Sequence, residues 1–133
     1  MGVVDAGVQI DAGVQRDAGI DPSVPADMRG VLELHNQARA ETNSGPMTWH
    51  AGLAESAATW AAECRWEHAP ANQRVYQGQT LGENLSAGSG NSWTPTALTR
   101  GWIEEEADYD CPANTCAPGK MCGHYTQVIW RSA

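Results

Sequence analysis

The chain has 133 residues, of which 41% are apolar, so it is long enough for one domain with a modest core. Its formal net charge is −8, which repels phosphate backbones and anionic lipid surfaces and excludes nucleic acid as a partner. No stretch approaches the roughly 18 consecutive apolar residues of a membrane span, so no transmembrane segment is predicted.

Residues 1–26 differ in composition from the rest and are predicted to form a disordered linker. Asp-Ala-Gly recurs with a six-residue period between Asp5 and Gly19, and Pro25 closes the segment. Because such a segment has little apolar surface to bury, we expect an extended, mobile tether. A glycine-rich calcium-binding β-roll is the alternative, although its usual repeat is longer and richer in aspartate. The folded domain is then predicted to span 27–133.

Three helices are predicted in this domain: Met28 to about Thr42, a segment that follows Trp49, and Thr94-Pro95 to about Ala107. Asp27 is the predicted N-cap of the first helix. Thr94 is the predicted N-cap of the third, with Pro95 at its first helical position. The residues that recur at helical spacing in the first two helices are Val31, Leu34, Ala38, Leu53, Ala57 and Cys64.

The remaining segments are predicted to be irregular, apart from one strand. Residues 69–80 are polar and without periodicity, and Gly119 and Gly123 interrupt the segment before Tyr125. From Tyr125 to Trp130, β-branched and aromatic residues recur as in a strand. Helices and strands mix without β-α-β alternation, so the pattern predicts an α+β domain.

Four cysteines lie at Cys64, Cys111, Cys116 and Cys122. An even number in a small domain favours disulfides and an oxidising, extracellular compartment. A metal cluster is the alternative, although the paired Cys-x-x-Cys spacing is missing. The N-terminus has no basic and apolar stretch of a secretory signal, so we expect the chain to be a fragment of a secreted precursor.

The segment Gly123-His124-Tyr125-Thr126-Gln127-Val128-Ile129-Trp130 closely resembles the signature of the CAP superfamily (cysteine-rich secretory proteins, antigen 5 and pathogenesis-related 1). Further matches follow in chain order: His35-Asn36-x-x-Arg39, Trp49 with Leu53 and Ala54, Cys64 with His68, Gly82-Glu83-Asn84-Leu85, and Trp102-x-x-Glu105. The resemblance covers 27–133 and implies a three-layer α-β-α sandwich. Members of the family continue with further strands after this signature, so the domain is expected to be incomplete at its C-terminus, with its last strands missing.

The resemblance also implies a cleft in which two histidines and two glutamates converge, here His68, Glu83, Glu105 and His124. Two imidazoles and two carboxylates suit zinc or another divalent metal, and they also suit acid–base chemistry. Each residue has an ordinary structural explanation as well: a solvated loop for His68, a turn cap for Glu83, and a solvated helix face for Glu105. The match of the whole surrounding signature makes His124 the best supported of the four.

Other residues of the matched motifs are assigned structural roles. The family pairs the cysteines that match Cys116 and Cys122, and a bridge over so short a loop would stabilise the fold by roughly 2 kcal/mol. The pairing of Cys64 and Cys111 stays open. Four side chains are expected to lie outside the cleft as structural or exposed groups: His35, Asn36, Arg39 and His50.

The implied function is a secreted binding module, and we expect no enzymatic activity and assign no catalytic residue. Its His/Glu cleft would hold a divalent metal and a small apolar ligand, lipid or sterol-like, or an extracellular surface partner. One alternative is a metal-assisted or acid–base hydrolase of peptide or cell-wall material, for which Ser86 or Ser92 would need to lie beside His124. The other alternative is a structural extracellular domain. The sequence does not indicate an oligomeric state.

Overall fold

A computed structural model describes residues 21–131, and all statements on structure concern this range. Its helices are α1 (Arg29–Glu41), α2 (Ala51–Ala62), α3 (Pro95–Glu104) and α4 (Gly123–Val128), with 3-10 turns at Ala26–Met28 and Glu105–Asp108. Its strands are β1 (Val75–Tyr76), β2 (Gln79–Thr80), β3 (Tyr109–Asp110) and β4 (Thr115–Cys116). The Asp-Ala-Gly repeats of the expected linker lie outside the described residues, so the linker stays a prediction.

The three predicted helices are present, with differences at their ends. Thr94 caps α3 as expected, because its hydroxyl accepts a hydrogen bond from the Ala97 N–H at 3.1 Å. Asp27 is not an N-cap: it lies inside a 3-10 turn, and α1 begins only after Met28. The third helix ends at Glu104 and continues as a 3-10 turn to Asp108.

The segment Tyr125–Trp130, predicted as a strand, is largely helical, in α4. Alternation would place Tyr125 and Val128 on opposite faces of a strand, whereas a spacing of three places them on one face of a helix. Both side chains are buried, at 2% and 1% exposure, in one cluster with Ala38 of α1. Burial of both residues in one core therefore outweighs the β propensity of the segment.

The polar stretch 69–80, predicted to be irregular, contains the β1–β2 hairpin. Val75 pairs with Thr80 and Tyr76 with Gln79, so the turn is Gln77-Gly78. Both turn residues have positive φ, 49° and 80°, as the commonest two-residue hairpin turns require. The usual Asn-Gly or Asp-Gly signal is replaced here by Gln-Gly, which is why the sequence pattern did not reveal the hairpin.

Two separate antiparallel pairs make up the sheet structure of residues 21–131, β1 with β2 and β3 with β4. Helices and short hairpins together are consistent with an α+β domain. A two-stranded pair is narrower than the central sheet that a three-layer sandwich requires. The sandwich and the missing last strands therefore stay predictions.

A buried arginine joins the ends of two helices next to this core. Arg39 is 2% exposed, and its guanidinium donates four hydrogen bonds of 2.6–2.9 Å to backbone carbonyls. The acceptors are Ser44 and Gly45 after α1, and Val128 and Trp130 at the end of α4. Burial lowers the pKa of Arg39, and the carbonyls replace its lost hydration. Arg39 is therefore structural, as the sequence predicted, and it fixes the C-terminal end of α4.

Candidate functional site

His124 and Glu105 form a closely bonded pair at the start of α4. His124 Nδ1 lies 2.6 Å from Glu105 Oε1, and Oε2 accepts the backbone N–H groups of His124 and Tyr125 at 3.0 and 3.1 Å. The side chains are 26% and 13% exposed. The carboxylate thus caps the N-terminus of α4, where negative charge is favoured, and orients the His124 ring.

Trp102 of α3 gives the His124 ring a second support. The two rings are stacked, with centroids 6.1 Å apart and planes 18° apart. The Trp102 indole N–H donates to the Leu85 carbonyl at 3.3 Å. The His35 ring lies edge-on to the Trp102 ring, with centroids 6.3 Å apart. The Nδ1 atom of His35 lies 2.8 Å from the Val31 carbonyl oxygen within α1. His35 therefore makes the structural bond expected of it, and it lies closer to the site than the sequence indicated.

His68 and Glu83 form the second pair, in the loops on either side of the β1–β2 hairpin. His68 Nδ1 lies 2.8 Å from Glu83 Oε1, and the same oxygen accepts the Ala69 N–H at 3.0 Å. The His68 side chain is 57% exposed, whereas that of Glu83 is 18% exposed. Glu83 thus accepts a backbone N–H, in keeping with the structural role considered for it, and the same carboxylate oxygen bonds His68.

The four predicted residues are brought together as two pairs. The pairs are linked through Asn84, whose side-chain N–H donates to the His124 carbonyl at 2.9 Å. In the described part of the chain, no group of three or more His, Cys, Asp or Glu residues lies close enough together to hold a metal ion. A cation at this site would therefore depend on the imidazoles rather than on four direct protein ligands.

The hydrogen bonds determine which ring nitrogens are available. An ionised carboxylate can only accept, so the Nδ1 atom of each ring carries the hydrogen and the Nε2 atom of the neutral ring carries a lone pair. Among the described residues, neither Nε2 atom has a hydrogen-bond partner. Metal-binding histidines typically have this arrangement, with the second ring nitrogen held by a carboxylate. A neutral imidazole nitrogen of this kind is a ligand that borderline divalent cations such as zinc accept.

Glu83 and Asn84 are among the residues that line a groove of about 920 Å³. Its walls are α2, the β2 strand with the segment after it, and α4. The apolar part of the lining includes Leu53, Trp60 and Leu81. The groove thus combines apolar surface with the Glu83 carboxylate, a mixture typical of small-molecule sites.

The disulfide Cys116–Cys122 is present, and Cys122 is the residue immediately before α4. The bridge was predicted, and it fixes the backbone two residues ahead of His124. Cys64 and Cys111 are both exposed and free, so the structure does not join them. Within residues 21–131, His124 makes no hydrogen bond to Ser86 or Ser92, so no nucleophile–base pair is formed there.

Sequence reasoning missed the roles of two residues. Asn84 and Trp102 were noticed only as parts of matched motifs, although one bonds the backbone of His124 and the other stacks on its ring. Both contacts join segments far apart in the chain, and no spacing rule reveals them. In the matched motifs, Glu83 and His124 were the residues that suggested a functional site.

Comparison with known proteins identifies the family. The CAP model, of the cysteine-rich secretory protein family, matches residues 32–133, so the chain belongs to this family. Within the described residues, no helix combines the length and apolar character needed to cross a membrane.

Individual relatives agree with this assignment. Pathogenesis-related protein 1B of Nicotiana tabacum is 42% identical over 106 residues, which cover 77% of this chain and 58% of that protein. The PR-1 type pathogenesis-related protein of Sambucus nigra is 43% identical over 103 residues, covering 77% and 59%. Cysteine-rich secretory protein LCCL domain-containing 1 of Mus musculus is 37% identical over 120 residues, covering 80% and 23%. The chain thus spans less than two thirds of the length of each of these relatives.

Proposed function

We propose that this chain is an extracellular binding module of the CAP family that takes a divalent cation, such as zinc, at His68 and His124. The observation that carries the proposal is the shared geometry of the two pairs. Each Nδ1 is bonded to a carboxylate, at 2.8 and 2.6 Å, which leaves each Nε2 as a metal-binding nitrogen. Glu83 and Glu105 then orient the ligands and raise their basicity instead of binding the cation themselves.

Two further features support a cation. The net charge of −8 raises the local concentration of cations at the surface. His68 is 57% exposed, so an ion can reach it from solvent without an opening motion. Two protein ligands leave other coordination positions to water or to a ligand, so we expect weaker binding than at a four-ligand structural zinc site.

The groove beside Glu83 supports the second part of the proposal, which is binding of a small apolar ligand or a surface partner. Its volume of about 920 Å³ falls in the usual range of small-molecule sites. A cation near Glu83 would then lie beside a groove of mixed lining, in which Leu53, Trp60 and Leu81 supply the apolar surface. The family name, cysteine-rich secretory protein, supports an extracellular location, as does the Cys116–Cys122 disulfide.

Zinc titration by calorimetry tests the cation site. Because exposed thiols also bind zinc, every protein in the comparison carries Cys64→Ser and Cys111→Ser. We expect one binding event in this background and its loss in the His68→Ala/His124→Ala double variant. His50→Ala is the matched control, since His50 is exposed and bonded to Tyr76 and Leu53 instead. Equal zinc binding in the double variant and the control would refute the proposal.

A further inference from the structure

We propose that Asn84 is a positioning residue that couples the two His–Glu pairs and fixes the separation of the two imidazoles. The inference deepens the proposed function and rests on it for its zinc readout. It starts from the short segment Leu81–Leu85, which touches both pairs. Glu83 bonds His68 and Ala69, and the next side chain, Asn84, bonds the His124 carbonyl.

The covalent chain makes this coupling tight. Consecutive Cα atoms are about 3.8 Å apart, so Glu83 and Asn84 cannot shift independently. A displacement of His124 is therefore transmitted through the Asn84 amide to the residue that holds His68. No spacing or composition rule points to this role, because it depends on where two distant segments meet.

On the His68 side, the segment is held firmly. The Arg74 guanidinium donates to the Ala69 carbonyl at 2.7 Å and to the Leu81 carbonyl at 2.8 Å. The Leu81 N–H in turn donates to the Arg74 carbonyl at 2.7 Å. His68 and Glu83 therefore belong to one rigid unit that includes the β1–β2 hairpin.

On the His124 side, the attachment to α4 depends on a single polar bond. Within the described part of the chain, Asn84 Nδ2 to His124 O, 2.9 Å, is the one hydrogen bond between Leu81–Leu85 and α4. Two weaker attachments remain: the backbone of Gly82 lies against the Gln127 side chain, and the Leu85 carbonyl accepts the indole N–H of Trp102, whose ring stacks on His124. Loss of the Asn84 amide thus removes the direct hydrogen bond between the segment of Glu83 and the backbone of His124, and leaves each pair intact.

Two readouts test this role, again in the Cys64→Ser/Cys111→Ser background. In metal-free protein, Asn84→Ala is expected to shift the NMR ring-proton signals of both His124 and His68. Asn72→Ala, an exposed matched control, is expected to shift neither. In zinc titrations, we expect Asn84→Ala to weaken binding by about tenfold, as loss of outer hydrogen bonds around a metal site typically does. Because the coupling acts through both imidazoles, the losses from Asn84→Ala and His68→Ala are expected to be non-additive.

Three outcomes would overturn the inference: an unmoved His68 signal, a zinc affinity within twofold of the parent, or additive losses. If the parent itself binds no zinc, the proposed function fails and the ring signals alone decide the role of Asn84. Should Asn84→Ala not fold, as judged by circular dichroism, Asn84→Asp replaces it. That variant keeps the shape of the side chain but has no N–H to donate.

Discussion

The substitution Glu105→Gln probes the carboxylate on which both α4 and the His124 ring depend. Glu105 accepts three hydrogen bonds, two from backbone N–H groups and one from the ring. A glutamine has one acceptor oxygen, which can stay on the backbone N–H groups, and its NH₂ group then faces His124 Nδ1. Because two donors cannot bond each other, the ring is expected to move its hydrogen to Nε2.

The expected effects follow from the bonds lost. Replacing charge-assisted hydrogen bonds by neutral ones, and removing a negative charge from a helix N-terminus, should lower the free energy of unfolding by about 1–3 kcal/mol. Zinc affinity should fall by roughly 10–100-fold, because Nε2 then carries a hydrogen. Chemical denaturation measures the first effect, and long-range ¹H–¹⁵N NMR correlation shows which nitrogen of His124 is protonated.

Glu104→Gln is the matched control, since Glu104 is the exposed neighbour of Glu105. It removes the same charge from the same turn without touching α4. If the two variants have equal stability and the same His124 tautomer, the assignment of Glu105 as cap and ring acceptor is wrong.

Two further predictions concern the helices around the site. Gly30→Ala should destabilise the protein by about 1–3 kcal/mol, because the added Cβ would overlap Thr96 of α3. Gly101→Ala should stabilise the protein by about 0.5–1 kcal/mol, because no atom lies within 4 Å of the position of the added Cβ. Thermal unfolding should show opposite shifts in Tm, and shifts of the same sign would contradict the packing of α1 on α3. Burial lowers the pKa of His35 in the folded protein. As the pH falls, His35 is therefore protonated in the unfolded chain before it is protonated in the folded one, and the free energy of unfolding should decrease below about pH 6.5. His35→Gln should flatten this slope, by at most about 1.4 kcal/mol per pH unit; an unchanged slope in urea denaturation between pH 5 and 7 would show that His35 does not contribute.

The sequence was sufficient to predict features that depend on local residue chemistry or on a long match to a family motif. The Thr94-Pro95 start of α3 follows from local chemistry, and the Cys116–Cys122 bridge from the family motif. The set of His68, Glu83, Glu105 and His124 was predicted only through the resemblance, which did not give its division into pairs, since the paired residues lie 15 and 19 residues apart.

The features that sequence patterns failed to predict depend on tertiary contacts. The β-branched residues of α4 favour a strand, and only the shared core of Tyr125 and Val128 shows why the segment is helical. Likewise, nothing in the sequence around Asn84 indicates that its side chain bonds the distant His124 carbonyl. These errors concern the segments whose conformation is determined by residues far away in the chain.

The way α4 is held at both ends has a kinetic consequence. A helix of six residues is too short to be stable in isolation, and its supports come from Glu105 and from Arg39, 19 and 89 residues away from their partners in sequence. Contacts of such long separation form slowly, so α4 should be among the last parts to consolidate during folding. Substitutions at Arg39 or Glu105 should then mainly accelerate unfolding and leave the folding rate nearly unchanged. His124 should consequently reach its bonded geometry late in folding.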